Sequence, residues 1–408
     1  MKIIFVSTWY SEGMGYLENC LPKALAKLGH EVHVVTSTAQ VYFNHPFYHK
    51  AYQKYLGDPI QPEGVRVIDG VNVHRLPFFQ LKSKIILRGV IKTVNKINPD
   101  VITVLEHVSM DSLKLAIFKV FKGYKLFTAN HAVFSVYPIA RNWQILPFSK
   151  KIEWFLTQWL PGYFINLFIK KCFAVTIDAG EIAHKYLGVA KNKVKITTLG
   201  VDIDAFHPDE QAKQLFRKKW GFQDDEIVCI YSGKLIPQKQ PVLIAQAIDD
   251  LSKKGIKIKG FFVAEGELEA EIKQFKSSKV IALQPFKDLP VFFRMADIAI
   301  WPGEESSSQL DAVASGCCLI LTDNIKAYDE IVMGHISEKL NDSEQIIYKP
   351  KIVSRKFKHG DLADLTKKLN SLFDIELRKS LAQSGVQEIE TKYSWDTIAK
   401  NRLEDYKN

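Results

Sequence analysis

The chain is predicted to be α/β, built from two Rossmann-like, doubly wound parallel-sheet domains. Short apolar strands alternate with amphipathic helices along nearly all 408 residues. The alternation breaks once, at LGVDIDAFHPD (199–209), and then restarts. With 47% hydrophobic and 25% charged residues, the chain is long enough for two full cores.

Lys2–Thr8 reads as a first core strand, and a short apolar start of this kind is not a secretory leader. The loop Trp9–Gly15 carries Gly13 and Gly15, glycines that suit either the close approach of a ligand to the backbone or a plain tight turn. An amphipathic helix to about Leu28 follows, with Gly29 as its stop, then a strand Glu31–Thr36. GMG is not GxGxxG and no acid closes the second strand, so dinucleotide binding is not indicated. Residues 39–65 are aromatic and irregular and read as an insertion outside the core, and Val67–Leu76 as a hairpin turning at Asp69-Gly70.

Lys84, Arg88, Lys92 and Lys96 recur every fourth residue, predicting one helix over Lys84–Ile97 with a basic stripe. Val101–Leu105 and Leu126–Ala129 are strands whose ends carry Glu106-His107 and Asn130-His131. Lys150-Lys151 and Lys170-Lys171 bracket Trp154, Phe155, Trp159, Tyr163, Phe164 and Phe168. Aromatics interleaved between terminal lysines suit a membrane interface, and equally a helix pair packed on a sheet with snorkelling lysines. The apolar window Trp154–Ile169 is short for a span, which needs roughly 20 residues. Val175–Ile177 and Val194–Thr197 read as the last strands of this half.

Residues 1–200 hold 25 Lys+Arg against 12 Asp+Glu, a net +13, while the remainder is −3. That asymmetry points to an anionic surface or a lipid-linked phosphate as partner, rather than nucleic acid. Five cysteines without CxxC spacing predict reduced, buried thiols, a cytoplasmic protein and no metal site. Asp202 and Asp204 sit among Gly and Pro in a connector, which argues against a metal-binding DxD.

In the second half, strand Val228–Ser232 leads into GKLIPQKQP and a helix Val242–Lys254. Strand Gly260–Ala264 leads into Glu265-Gly266-Glu267 and a helix to Phe275, then come strand Val280–Leu283 and helix Leu289–Met295. Ile298–Asp323 is the stretch around which this half is organised: strand Ile298–Trp301, an acidic serine-rich loop, a helix from about Ser307 to Ala314, Gly316 as its stop, and strand Cys317–Leu321. A strand end meeting a helix N-terminus is a ligand corner suited to phosphate. Lys234 and Lys239, just past a strand, can neutralise a diphosphate as it leaves.

The ordered set KALAKLGHEVHVVTS, LGVDIDAFHP, YSGKLIPQKQP, VAEGELEAEI, ADIAIWP, LDAVASGCCLIL and SWDTIA resembles the retaining GT-B-type glycosyltransferases of family 4, the group 1 glycosyltransferases, over nearly the whole chain. The resemblance implies two Rossmann-like domains facing a central cleft: 1–200 on the acceptor side, 201–390 binding the nucleotide-sugar, and a helix within 391–408 returning to the first domain. It implies that Gly233, Lys234 and Lys239 bind the donor diphosphate with Ser306, Ser307 and Ser308. Glu265 and Gly266 would lie at the base, Asp311 at the ribose, His131 near the transferring sugar, and Gly13 and Gly15 on the cleft.

The chain departs from the family at its paired acids. Position 303, where the pattern places the first glutamate, is Gly, and Glu304 and Glu305 follow it. Either could do the first acid's work. Lys234 also stands where the family more often has Arg, without the bidentate fork. The implied activity is metal-independent, retaining transfer of a sugar from a nucleoside-diphosphate-sugar to a glycan or lipid-linked hydroxyl, in surface polysaccharide, lipopolysaccharide or lipid-linked glycan assembly. No other cofactor is expected, and peripheral contact with the inner face of the cytoplasmic membrane fits the basic half. A catalytically degenerate sugar-nucleotide-binding scaffold subunit and a GT-B-type nucleotide-sugar epimerase are the alternatives.

Overall fold

The computed structural model describes every residue except 47, 82–83, 135–136, 304–305, 325–332, 340–345 and 353. It divides into two compact units, Met1–Gly200 with Trp395–Asn408, and Val201–Ser394.

The first unit carries β1 (Lys2–Val6), β2 (Glu31–Ser37), β3 (Gly64–Ile68), β4 (Val71–Leu76), a separate hairpin β5 (Phe78–Leu81) and β6 (Lys84–Leu87), then β7 (Val101–Val104), β8 (Lys125–Asn130), β9 (Ile169–Ala174) and β10 (Val194–Ile196). Its sheet runs β10-β9-β8-β7-β1-β2-β4-β3, parallel except at the β3–β4 hairpin. Asp69 and Gly70 turn that hairpin at φ of 50° and 79°, left-handed values that Gly, Asn and Asp tolerate best. Alternate residues of β1 serve opposite faces: Ile3 and Phe5 join the cluster with Leu21 and Leu25, Ile4 and Val6 the one with Val94 and Leu115. The helix Trp395–Lys407 completes this unit, with Tyr406 hydrogen-bonded to Thr103 at 2.6 Å and Asp405 paired to Lys171 and Lys195.

Three expectations need correction here. The basic stripe does not lie on one helix. Lys84–Leu87 is β6, paired with β5, and the helix is Val90–Ile97, keeping only Lys92 and Lys96. Gly89, at a left-handed φ of 82°, separates the two, and β-branched Ile85 and Ile86 suit a strand. Residues 175–177 are not a strand: Thr176 caps the helix Ile177–Tyr186, its hydroxyl accepting from the Ala179 amide. The 39–65 segment is not wholly outside the core. Tyr48 is buried, and buried Gln40 donates to the Leu56 carbonyl at 2.7 Å.

The second unit carries β11 (Ile227–Lys234), β12 (Ile258–Glu265), β13 (Ser278–Ile281), β14 (Ile298–Trp301), β15 (Cys318–Thr322), a hairpin β16 (Met333–Lys339) and β17 (Ile346–Ile352), and β18 (Ser354–Phe357). Its sheet is parallel throughout, in the order β13-β12-β11-β14-β15-β18. The chain builds outward from β11 in one direction and from β14 in the other. The switch of direction between them opens a crevice at the strands' carboxyl ends, where doubly wound sheets take ligands. The helix expected to reach Phe275 is a single turn, Glu269–Ile272. All five cysteines are buried free thiols.

Candidate functional site

Glycines and backbone contacts bring the candidate donor residues of the second unit to that crevice. β11 ends in Gly233 and Lys234, β12 in Glu265, with Lys234 opposite Glu265 in the register. The Leu235 amide donates to the Glu265 carbonyl at 2.9 Å, and the Leu268 amide to the Leu235 carbonyl at 3.1 Å. Gly266 fits beneath them because it lacks a side chain: a Cβ there would lie 2.4 Å from the Leu235 oxygen. Across the switch point, the Trp301 indole donates to the Ser232 carbonyl at 3.2 Å, tying β14 to β11.

Just past β14, Gly303 lies directly against the lysine turn. A Cβ on Gly303 would lie 2.5 Å from both the Gln238 oxygen and the Lys239 Cα. This contact was not legible in the sequence, where Gly303 figured only as a missing acid. Pro237–Lys239 forms one 3-10 turn, and Gln240 follows at φ 50°. The Gln240 side-chain amide bonds His359 at 3.3 Å, and the other nitrogen of that ring bonds Thr322 at 3.2 Å. An amide nitrogen only donates, so His359 Nε2 accepts and Nδ1–H donates to the threonine. His359 thus braces the turn that presents Lys239; no motif pointed to it.

Lys234 is exposed and Lys239 half-buried. Ser306 and Ser307 precede the seven-residue helix Ser308–Ala314. Asp311, on that helix, is only 5% exposed. Burial, and then the charge of Asp202, hold its carboxyl well above the usual carboxylate range. A carboxyl whose folded pKa is raised contributes its stability below the unfolded value, and loses it as pH rises through the folded one. Asp311→Asn is therefore expected to raise the melting temperature relative to the parent by a margin that widens as pH climbs above the ordinary aspartate range. A margin independent of pH, in melts from pH 4 to 8, would contradict this. Glu304 and Glu305 lie outside the described residues.

The other candidates belong to the first unit, at the carboxyl edge of its own sheet. There the direction switches between β1 and β7, and Thr8 beyond β1 donates to Glu106 beyond β7 at 2.9 Å. Gly13 has a left-handed φ of 78° and open space around it, so the turn itself requires glycine; Gly15 lies two residues on in the same loop. The two strand-end histidines differ. His107 is buried, its Nε2–H donating to the Gly162 carbonyl at 3.2 Å and its Nδ1 accepting from Thr128 at 2.8 Å, so it is a structural pin. His131 ends β8 with an exposed side chain. Surrounding protein and then Arg402 push its imidazole down to about 4. At pH 7 the ring is neutral.

Among the described residues no three His, Cys, Asp or Glu side chains converge as a metal would require, and no helix is long and apolar enough to cross a membrane.

Two doubly wound units of this kind define a GT-B-type fold. The whole chain superposes on a glycosyltransferase from Rickettsia africae with a TM-score of 0.66, at 14% identity, covering 100% of this chain and 98% of that one. It superposes on Anabaena HepE, solved with UDP and glucose, with a TM-score of 0.64 at 13% identity, covering 99% of each. The model of Glycosyltransferase Family 4 matches residues 21–205 and that of Glycosyl transferases group 1 matches residues 212–346, so the chain belongs to the group 1 glycosyltransferases. Among curated relatives, spore coat protein SA of Bacillus subtilis is 23% identical over 53% of this chain and 59% of its own length. The UDP-Gal:alpha-D-GlcNAc-diphosphoundecaprenol alpha-1,3-galactosyltransferase of Escherichia coli is 25% identical over 34% of this chain and 39% of its own. The chain thus spans between 39% and 59% of the lengths of these curated relatives.

Proposed function

We propose that the chain transfers a sugar from a nucleoside-diphosphate-sugar to an acceptor hydroxyl with retention of anomeric configuration. The observation that carries this reading is the seating of Gly303 on the backbone of Lys239, which joins the end of β14 to the lysine turn beside the switch point of the sheet. In the proposed reaction the Lys234 and Lys239 ammonium groups oppose the charge that grows on the departing diphosphate. Asp311 takes the ribose hydroxyls, the Glu265–Gly266 edge takes the base, and Glu304 or Glu305 takes the sugar hydroxyls. Neutral His131 holds the transferring sugar, and Gly13 and Gly15 admit the acceptor. Two ammonium groups supply the countercharge a metal would otherwise bring, so transfer without a metal is part of the proposal.

The acceptor we propose is a growing surface glycan or a lipid-linked glycan, a class supported by the diphosphoundecaprenol acceptor in the name of the Escherichia coli relative. Five buried free thiols suit a reducing compartment, and hence the cytoplasmic side.

The test is thermal stabilisation by a panel of nucleoside diphosphates and their sugars, first without metal and then with magnesium. Stabilisation follows RT ln(1 + [L]/Kd), so a ligand at about 100 times Kd adds roughly 2.7 kcal/mol. A shift confined to one base, present without metal, is expected. No shift with any nucleotide would favour a catalytically degenerate scaffold subunit, kept in view by Gly303 at the place of the first acid. Conversion of the donor without acceptor would favour an epimerase.

A further inference from the structure

In the first unit, one helical segment turns most of its large apolar side chains outward. Phe148–Trp154 continues through a π-helical turn, Phe155–Trp159, into Leu160–Phe168. Of the last stretch only Gly162, Ile165 and Asn166 are buried. Its inner face sets Ile165 in the apolar core and is otherwise held by polar and backbone contacts. The Trp154 indole donates to the Tyr186 carbonyl at 3.0 Å, His107 to the Gly162 carbonyl at 3.2 Å, and the Ala190 amide to the Asn166 side chain at 3.0 Å. Gly162 rests so closely on the Leu187 carbonyl that a Cβ would lie 1.9 Å from it, and Gly188 meets the Tyr163 amide in the same way. The helix cannot roll to bury its other side without breaking these contacts.

That other side is apolar. Leu156, Leu160, Tyr163, Phe164 and Leu167, at helical spacing, are 55%, 44%, 46%, 37% and 57% exposed. Phe148 preceding them is 78% exposed, and the neighbouring helix Met110–Phe118 with its continuation adds exposed Val120 and Phe121. A soluble monomer rarely shows an apolar face of this extent. Lysines 150 and 151 stand before it and Lys170 after it, Lys171 being paired to Asp405, in the half of the chain whose net charge is +13.

We infer that this face docks on an anionic phospholipid surface, the helix lying in the plane of the interface with its leucines and phenylalanines among the acyl chains. An apolar stripe with basic ends is the pattern such a surface binds. A second copy of the chain is the weaker occupant, because two faces flanked by lysines would be brought together like charge to like. The segment is the lysine-bracketed aromatic one that the sequence singled out, whereas the Lys84–Lys96 stripe is split between a strand and a helix. It stands independently of sugar transfer, because vesicle binding is read without donor or acceptor.

The test is co-sedimentation of the full chain with vesicles of phosphatidylethanolamine and phosphatidylglycerol, against vesicles of phosphatidylcholine, at 0.15 M salt. The expected result is sedimentation with the anionic vesicles only. In Leu156→Glu/Leu160→Glu/Phe164→Glu the partition coefficient should fall at least ten-fold with an unchanged melting temperature. The milder Lys150→Gln/Lys151→Gln/Lys170→Gln should weaken binding to the anionic vesicles and lessen its salt dependence. Failure of the parent chain to bind any vesicle, or equal binding by the triple glutamate variant, overturns the inference. So does a dimer that the glutamates convert to monomer without any vesicle binding.

Discussion

Lys239→Ala is expected to lower transfer at limiting donor by roughly 10²–10³-fold, the range seen when one preorganised group facing developing charge is removed. The turn that carries it is fixed on three sides. Gly303 lies on its backbone, Ile236 and Pro237 carbonyls accept the Lys239 and Gln240 amides, and His359 holds the next side chain. These contacts are made by the backbone and by neighbouring residues, so Lys239→Ala keeps them and they hold the turn in place. The stabilisation by nucleoside diphosphate should fall with activity, since a diphosphate presents the same charge as the leaving group. Lys239→Arg keeps the charge but not the compact ammonium geometry, and should recover binding better than turnover. Steady-state kinetics at limiting and saturating donor decide the matter. Unchanged turnover in both regimes would remove Lys239 from the site.

Much of the fold was legible because its signals are local. Leu289–Met295 and Ile298–Trp301 stand as read, since a buried parallel strand and its crossover helix carry unambiguous apolar patterns. Lys84–Leu87 was misread because a four-residue spacing of basic side chains fits a helix whether or not the backbone obeys it. The deciding residue was Gly89, whose left-handed φ no periodicity announces. The candidate site divides in the same way. Lys234, Lys239, Glu265 and Asp311 could be named from motif order. His359, about 120 positions from the turn it braces, could not, because nothing in a linear pattern marks a hydrogen bond across that separation. The helix with its apolar side chains outward was half legible: its aromatics and lysines stood out, but which face is pinned by Gly162 and Asn166 depends on Leu187 and Ala190.

Gly303→Glu restores in name the acid that the family pattern places there, and it is expected to harm rather than help. A Cβ at 303 would meet the Gln238 oxygen and the Lys239 Cα at 2.5 Å, and both are backbone atoms that cannot rotate aside. Either the loop or the lysine turn must move. Forced overpacking of this sort costs about 1–3 kcal/mol, and a domain of this size loses roughly 2–4 °C per kcal/mol. A fall of several degrees in melting temperature should therefore accompany loss of the nucleotide-dependent shift. Lys239→Ala introduces no such clash and would share the second effect with a smaller fall in melting temperature, so the pair separates a displaced turn from a missing charge. Gly303→Ala should reproduce the fall in stability, since the clash begins at the Cβ, while adding no charge. The contrary result is equally informative. If Gly303→Glu keeps its melting temperature and gains transfer, the loop has room for the first acid, and the parent chain is better described as a binding subunit that has lost it. If it loses stability and donor binding together, glycine at 303 is a packing requirement of the lysine turn. The first acid's work then falls to another residue of this chain.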